Sequence, residues 1–162
     1  MATKDSPIPA PFISETRTVL PEWIDFNGHM NIAYYVVAFD LATDDVFNFF
    51  GMDDRHREES NCSTFTLELH VNYLREIMEG ESFLMHTTLL GVDAKRLHLF
   101  HEMFHAETGE LVATNEIMFI HVDMNKRRSS PFPEHILAHL QEIAAVHASL
   151  PRHPNAGRSI GF

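Results

Sequence analysis

Seven positions between an extended-looking segment and a long apolar run carry an acid, an Asn-Gly pair, a His and a second Asn. They are Asp25, Asn27, Gly28, His29 and Asn31, in the stretch IDFNGHMNIAYY. A turn needs only Asn27-Gly28; the other three types could do chemistry. Asn31 stands where a helix over residues 32–50 would begin, and the first turn of a helix presents unpaired N–H groups and partial positive charge. Such an end holds an anion or polarises a carbonyl oxygen. A carboxylate beside it, Asp25, could act as general base or nucleophile on that carbonyl. The set suits hydrolysis or transfer at an acyl group. It also has a plain structural use, with Asp25 and Asn31 capping the helix and His29 decorating the turn.

The elements that would position these residues follow from periodicity. Ile32, Tyr35, Val36, Phe39, Thr43, Val46 and Phe50 recur at helical spacing. Tyr34, Val37, Ala38 and Leu41 widen that apolar surface until little is left for water, so another element must wrap the helix. Asn31 is a good N-cap and Gly51 a good residue to end on. A polar loop, MDDRHREES, separates it from period-two segments. In STFTLELHVNYL the residues Phe65, Leu67, Leu69, Val71 and Tyr73 would share one face, and three more long strands follow. Breaks at Glu79-Gly80, at Gly91 to Lys95 and at Thr108-Gly109-Glu110 favour antiparallel hairpins or a meander. Glu15 to Leu20 could add a short strand, and residues 133–149 read as a closing amphipathic helix. One buried helix wrapped by one curved antiparallel sheet is an α+β solution. The expected organisation is a flexible tail over residues 1–13, a single domain over 14–150 and a frayed tail over 151–162.

The bulk properties narrow the partners. A net charge of −11 argues against nucleic acid, which needs a basic face. Cys62 is the sole cysteine, so no internal disulfide forms. The stretch MATKDSPIPAPFISE has no apolar core of a secretory signal, and no apolar run reaches membrane-spanning length. A soluble, cytoplasmic protein without membrane contact is expected.

The pattern D-x-x-G-H-M-N followed by an apolar helix resembles the hotdog-fold acyl-CoA thioesterases of the 4-hydroxybenzoyl-CoA thioesterase type. The resemblance runs from about Thr16 to about Ile136. It includes Val71-Asn72-Tyr73, Gly80-Glu81, the run Glu107 to Ala113, His121-Val122-Asp123, and Arg127-Arg128 with Pro131 and Pro133. It implies a hotdog fold, a homodimer or dimer of dimers that joins two sheets, and active sites at the subunit interface. It implies hydrolysis of an acyl-CoA to free acid and CoA, with Asp25 as nucleophile or general base. The thioester oxygen would lie against backbone N–H groups near Asn31 and Ile32, and His29 and Asn31 would line the site. Coenzyme A would be part of the substrate, with no separate cofactor and no metal. Many relatives carry a second acid two residues before the catalytic one; here Trp23 stands there and would form an aromatic wall. Resemblance to thioesterases found near carnitine dehydrogenases makes a betaine-type acyl-CoA a candidate substrate.

The remaining site residues are read as follows. Trp23, Phe26, Tyr34 and Tyr35 could make an aromatic pocket for an aryl or quaternary-ammonium acyl group; all four are equally suited to the core, and for Tyr35 the core is the preferred reading. Gly28 and Ile32 would line it, and Glu68 is a candidate second carboxylate reached across a dimer. Arg127 and Arg128 could receive the phosphates of coenzyme A, or could serve as charged guards at a strand end. Two rival enzymes share parts of the pattern. His101 to His105 spells H-E-x-x-H, a zinc-protease motif that works only on a helix, whereas RLHLFHEMFHAETGELVA reads as strand, turn, strand; a His-rich sheet surface is the plainer reading. Hotdog hydratases resemble D-x-N-P-x-H, against which Gly28 replaces Pro and His29 arrives one residue early. A third possibility is a hotdog protein that binds CoA esters without turning them over. No Ser-His-Asp or Cys-His arrangement is legible around Cys62, Ser63 and Thr64.

Overall fold

A helix that is apolar on most of its surface cannot stand alone, and the fold is the means of covering it. The computed structural model describes residues 7–161. Chain order begins with two short strands, β1 (Phe12–Ile13) and β2 (Arg17–Thr18). After the loop that carries Asp25 comes the long helix α1 (Ile32–Phe50), which buries Tyr35, Ala38, Phe39, Ala42, Thr43, Val46, Phe47 and Phe50. Asn31 caps it by accepting the Ala33 N–H at 3.0 Å, and Gly51 ends it in the left-handed region at φ 81°.

The four long strands are β3 (Cys62–Tyr73), β4 (Ser82–Val92), β5 (Arg96–His105) and β6 (Leu111–Asp123). They form one antiparallel sheet in the order β1-β4-β5-β6-β3, with β2 also on β4 and the short β7 (Arg128–Ser129) on β6. One face of this sheet wraps α1. The closing helix α3 (Glu134–His147) lies on the same face, where Ile136, Leu140 and Ile143 meet Phe47, Phe50, Leu89, Leu97 and Leu99. Each such side chain removed from water contributes about 1.5–3 kcal/mol.

Several expectations change. The polar loop after α1 contains a short helix, α2 (Asp54–Ser60), because the Asp53 carboxylate caps the His56 N–H. The break at Glu79-Gly80 is not a hairpin: β3 and β4 lie at opposite ends of the four long strands, so residues 74–81 cross over. Only β4, β5 and β6 form the meander. A bulge between Thr66 and Glu68 breaks the alternation of β3. Phe65 therefore pairs beside Ile120 on the outer face, while Leu69, Val71 and Tyr73 pair beside Ile117, Asn115 and Ala113 on the helix face. The strand expected over residues 15–20 shrinks to Arg17–Thr18.

The described parts of both expected tails are docked. Phe12 and Ile13 pair with Thr87 and His86, and the Pro9 carbonyl meets His147 Nε2 at 2.7 Å. At the other end, His153 stacks on Phe100, Asn155 reaches Thr114, and the Gly157 N–H donates to Glu116 at 2.6 Å. That strap covers part of the outer face, which α1 and α3 leave bare. Residues 1–6 of the expected N-terminal tail and Phe162 lie outside the described residues.

His101 is not on a sheet surface. It is wholly buried beneath α1, with Nδ1 at 2.8 Å from Thr87 Oγ1 and Nε2 at 3.3 Å from Thr43 Oγ1. Thr43 donates its own proton to the Phe39 carbonyl at 2.9 Å, so it receives the Nε2–H and Thr87 donates to Nδ1. Burial pushes the His101 pKa down to about 3 from 6.5. The unfolded chain thus binds a proton that the native one refuses. The stability due to neutral His101 is complete above about pH 6.5 and is lost as the pH falls toward 3, by up to about 1.4 kcal/mol per pH unit. A His101→Leu variant, which strands Thr87, should be less stable than the parent at about pH 7.5 and should close much of that gap by about pH 4.5 in urea titrations. A gap that does not change with pH would rule out His101 as the titrating group.

Candidate active site

The loop before α1 is closed by its own backbone. Ile24 bridges Met30, the Asp25 N–H donates to His29 O at 3.2 Å, the Gly28 N–H to Asp25 O at 3.0 Å, and the Asn31 N–H to Trp23 O at 2.9 Å. Gly28 sits at φ 84°, where a side chain would be strained, and this lets so short a loop turn back on itself. The carboxylate of Asp25 is half-buried and held at both oxygens: Oδ1 accepts the Asn27 N–H at 2.8 Å, and Oδ2 accepts Asn31 Nδ2 at 3.1 Å. Asn31 spends its other amide atom on the Ala33 N–H. The same side chain therefore starts the helix and aims the acid. Tyr34 N–H turns back to Asn31 O at 3.0 Å, and the Ile32 N–H at this helix end has no partner among the described residues.

A cleft of about 230 Å³ opens at this mouth, lined by His29, Met30, Ile32, Tyr35, Tyr73, Leu74, Arg75 and Glu76. The segment after β3 is pinned against the helix: Tyr35 Oη donates to Arg75 O at 3.2 Å, Tyr73 Oη to Ile32 O at 3.2 Å, and the Met30 N–H to Ile77 O at 2.9 Å. Burial pushes the phenol pKa values of Tyr35 and Tyr73 up, which keeps both as neutral donors. His29 turns Nδ1 to the Met30 carbonyl at 3.2 Å and lines the cleft.

Asp25, His29, Asn31, Gly28 and Ile32 thus come together at the helix mouth. Of the four residues expected to form an aromatic pocket, Tyr35 lines the cleft and Trp23, Phe26 and Tyr34 do not. Trp23 stacks on Tyr34 with centroids 5.6 Å apart and faces Phe83 in the core, while Phe26 stands 97% exposed at the loop tip. Glu68 lies across the sheet, in an outer-face groove of about 530 Å³ shared with His70, His98, Glu116 and the strap residues Gly157 to Ile160. Arg127 and Arg128 lie beyond the Asp123 end of β6, whereas the mouth lies at its Ala113 end. Ten strand residues at about 3.4 Å each separate those ends by about 35 Å. The cleft residues that the sequence reading missed are Met30, Tyr73, Leu74, Arg75 and Glu76. The last three follow the final residue of β3 with no periodicity of their own and become a wall only because the chain crosses over there. The H-E-x-x-H run is on strand β5, where His101 points to the core with both ring nitrogens engaged, so it cannot present two ligands on one helix face.

Residues 19–140 match the family model described as the thioesterase-like superfamily. The chain belongs to that family. Among relatives within reach of this thioesterase-like chain is a betainyl-CoA thioesterase of Pseudomonas aeruginosa, 42% identical over 144 residues that cover 89% of this chain and 91% of the relative. A second, the L-carnitine dehydrogenase/betainyl-CoA thioesterase of Rhizobium meliloti, is 35% identical over 86% of this chain but only 28% of its own length, so the match is to one part of a fused protein. Among solved structures, a Staphylococcus aureus protein in complex with CoA superposes with a TM-score of 0.88 at 31% identity, covering 98% of this chain and 99% of that one. The hotdog arrangement of the thioesterase-like family is therefore the fold of this chain.

The double duty of Asn31 can be separated by substitution. Asn31→Ala removes the cap and should cost about 1 kcal/mol of unfolding free energy. Asn31→Ser keeps an oxygen for the Ala33 N–H and should cost a few tenths at most, while freeing the Asp25 carboxylate. Denaturant titrations of the two variants check this; equal losses would mean that the Asp25 contact, not the cap, carries the stability.

Proposed function

We propose that this chain is an acyl-CoA thioesterase that hydrolyses a betaine-type acyl-CoA to the free acid and CoA. The observation that carries the reading is the coupling of a fixed carboxylate to a helix end with one unpaired donor, Asp25 through Asn31 to the Ile32 N–H. The substrate class rests on the name of the 42% identical relative. In the reaction the thioester oxygen takes the Ile32 N–H and the positive end of α1, which stabilises the oxyanion as the carbonyl carbon becomes tetrahedral. Asp25 acts on that carbon, by direct attack or by deprotonating a water. The C–S bond breaks, the thiolate leaves as CoA, and water supplies the oxygen of the product acid. A donor of this kind is worth about 2.7–4 kcal/mol of barrier and a placed base roughly 10²–10⁴-fold.

The functional unit in this reading is a dimer that pairs along β3. That strand is twelve residues long, has one edge unpaired among the described residues, and leaves Phe65, Leu67, Leu69 and Tyr73 exposed. An edge of that length and apolarity is a template for another strand. Antiparallel self-pairing about a two-fold axis sets the Cys62 end of one β3 against the Tyr73 end of the other. The turn that carries Arg127 and Arg128 is tied to the Cys62 end, because the Met124 N–H donates to Asn61 O at 2.9 Å and Asn61 Nδ2 to Asn125 at 2.6 Å. Arg127 and Arg128 of the partner subunit then approach the mouth that their own chain holds them away from. Neither forms an ion pair among the described residues, and each is free to meet a CoA phosphate.

Asp25→Asn should lose at least about a hundredfold in thiol release from betainyl-CoA while remaining folded and binding the ester. Undiminished turnover in that variant would remove Asp25 from the chemistry. Co-expression of Asp25→Asn chains with Arg127→Ala/Arg128→Ala chains should restore activity that neither variant has alone, since one site of each mixed dimer then carries neither change. Failure to restore activity in a verified mixed dimer would place both groups in one chain's site.

A further inference from the structure

The residues that line the cleft at the helix mouth have a chemistry of their own. A quaternary ammonium group offers no hydrogen-bond donor, so a protein recognises it by aromatic faces and by carboxylates placed nearby. Tyr73 stands along the cleft with nearly half of its surface exposed, set edge-to-face against the buried Tyr35 with ring centroids 5.1 Å apart. Met30, Ile32 and Leu74 supply apolar walls. Two charged residues of opposite sign share the rim, and they differ in their commitments. Arg75 is drawn away to Glu110 at 3.3 Å. Glu76 forms no ion pair among the described residues, so the uncompensated charge of the cleft is negative.

Position matters as much as composition. In a betainyl thioester the nitrogen is one carbon removed from the carbonyl, so its seat must adjoin the donor that holds the carbonyl oxygen. Tyr73 Oη donates to the carbonyl of Ile32, the residue whose N–H is the unpaired donor of the helix end. Of the four aromatics expected to form such a seat, Tyr35 lines the cleft, while Trp23 and Tyr34 are stacked on each other and Phe26 is at the loop tip. The cleft's volume of about 230 Å³ suits a compact trimethylammonium head and not a long acyl chain.

We propose that this cleft selects the cationic head of the acyl group, with the Tyr73 ring as its aromatic wall and Glu76 as its counter-charge. The proposal rests on the thioesterase reading given above and assigns the specificity of that same site. Tyr73 and Glu76 are specificity residues here, and neither takes part in bond making.

The test compares betainyl-CoA with its neutral carbon isostere, tert-butylacetyl-CoA, by kcat/KM from thiol release. The wild-type protein should prefer the cationic ester. Tyr73→Leu should reduce that preference about tenfold, the scale of a cation–π contact, and Tyr73→Phe, which keeps the ring, should retain it. Glu76→Gln changes an exposed side chain with little risk to folding and should reduce the preference severalfold, with the loss shrinking as salt is raised. Circular dichroism and the ratio between the two esters keep a folding defect from passing for a specificity change. A preference that survives both Tyr73→Leu and Glu76→Gln would overturn the cleft assignment and leave the thioesterase reading standing. A wild-type protein that shows no preference for the cationic ester would overturn the cleft and the betaine-type substrate together.

Discussion

The amide of Asn31 is the interaction on which the site depends. Its two ends are pulled by different needs, Oδ1 by the Ala33 N–H of α1 and Nδ2 by the carboxylate of Asp25. An amide is planar and its ends cannot be turned independently, so the direction of the helix axis dictates where the acid points. The loop between them has no slack to undo this. Three backbone hydrogen bonds and the Ile24–Met30 bridge close it within nine residues, and the positive φ of Gly28 makes that closure possible. In the proposed reaction, a carbonyl placed on the helix end would be set at a constant position relative to the carboxylate, which is the part of catalysis that geometry alone can supply.

That arrangement is only as rigid as α1, and α1 is held from three sides. The sheet buries its apolar face, α3 closes the far half, and the crossover of residues 74–81 clamps the near end through Tyr35, Tyr73 and Met30. The clamp explains why β3 and β4 are not neighbours. A hairpin between them would have kept the chain on one side of the sheet. Crossing from one edge to the other draws Leu74 to Ile77 past the helix mouth and gives the cleft a wall. It also leaves β3 as a free edge with apolar side chains, so the feature that builds the cleft exposes the surface suited to a second copy.

How much of this could be read from residues alone depends on the range of the interaction. The helix over 32–50, its Asn31 cap and its Gly51 stop are local patterns, and the chain obeys them. The four long strands are equally local, since period-two alternation and turn residues mark them. Pairing is not local. Nothing in the spacing of Glu79-Gly80 distinguishes a hairpin from a crossover, and a one-residue bulge between Thr66 and Glu68 moved Phe65 to the face opposite Leu69 without altering the apparent alternation. At the candidate site, the grouping of Asp25, His29 and Asn31 was legible because they are close in sequence. The aromatic pocket was misread because residue type says nothing of direction: Trp23 and Tyr34 satisfy each other in the core, and the exposed ring at the cleft, Tyr73, comes from a strand about forty residues later. The tails were misread for a related reason. Pro-rich and Gly-containing ends look loose, yet the outer sheet face offers Phe100, Thr114 and Glu116 to whatever chain can reach them.

Charge connects these parts. The chain carries −11 overall, a sign that repels the phosphates of coenzyme A at a distance. Five of its twelve lysines and arginines (Lys95, Arg96, Lys126, Arg127 and Arg128) nevertheless lie at one end of the sheet, where the Lys95 amine meets Ser129 Oγ at 3.3 Å. Arg96 is committed to Asp93 and Lys126 to Asp123, which leaves the two adjacent arginines as the uncommitted pair. The opposite end holds the mouth, with Asp25 and Glu76. A betainyl-CoA has the complementary polarity, cationic at the acyl head and polyanionic at the nucleotide. In one chain those two ends are too far apart to serve one substrate through strand β6, whose length holds them away from each other. In the proposed dimer, antiparallel pairing along β3 would fold that distance up, setting the basic end of one subunit beside the acidic mouth of the next. On this reading the two-fold is part of the recognition, because it converts a charge separation along each chain into a matched pair of poles across the interface.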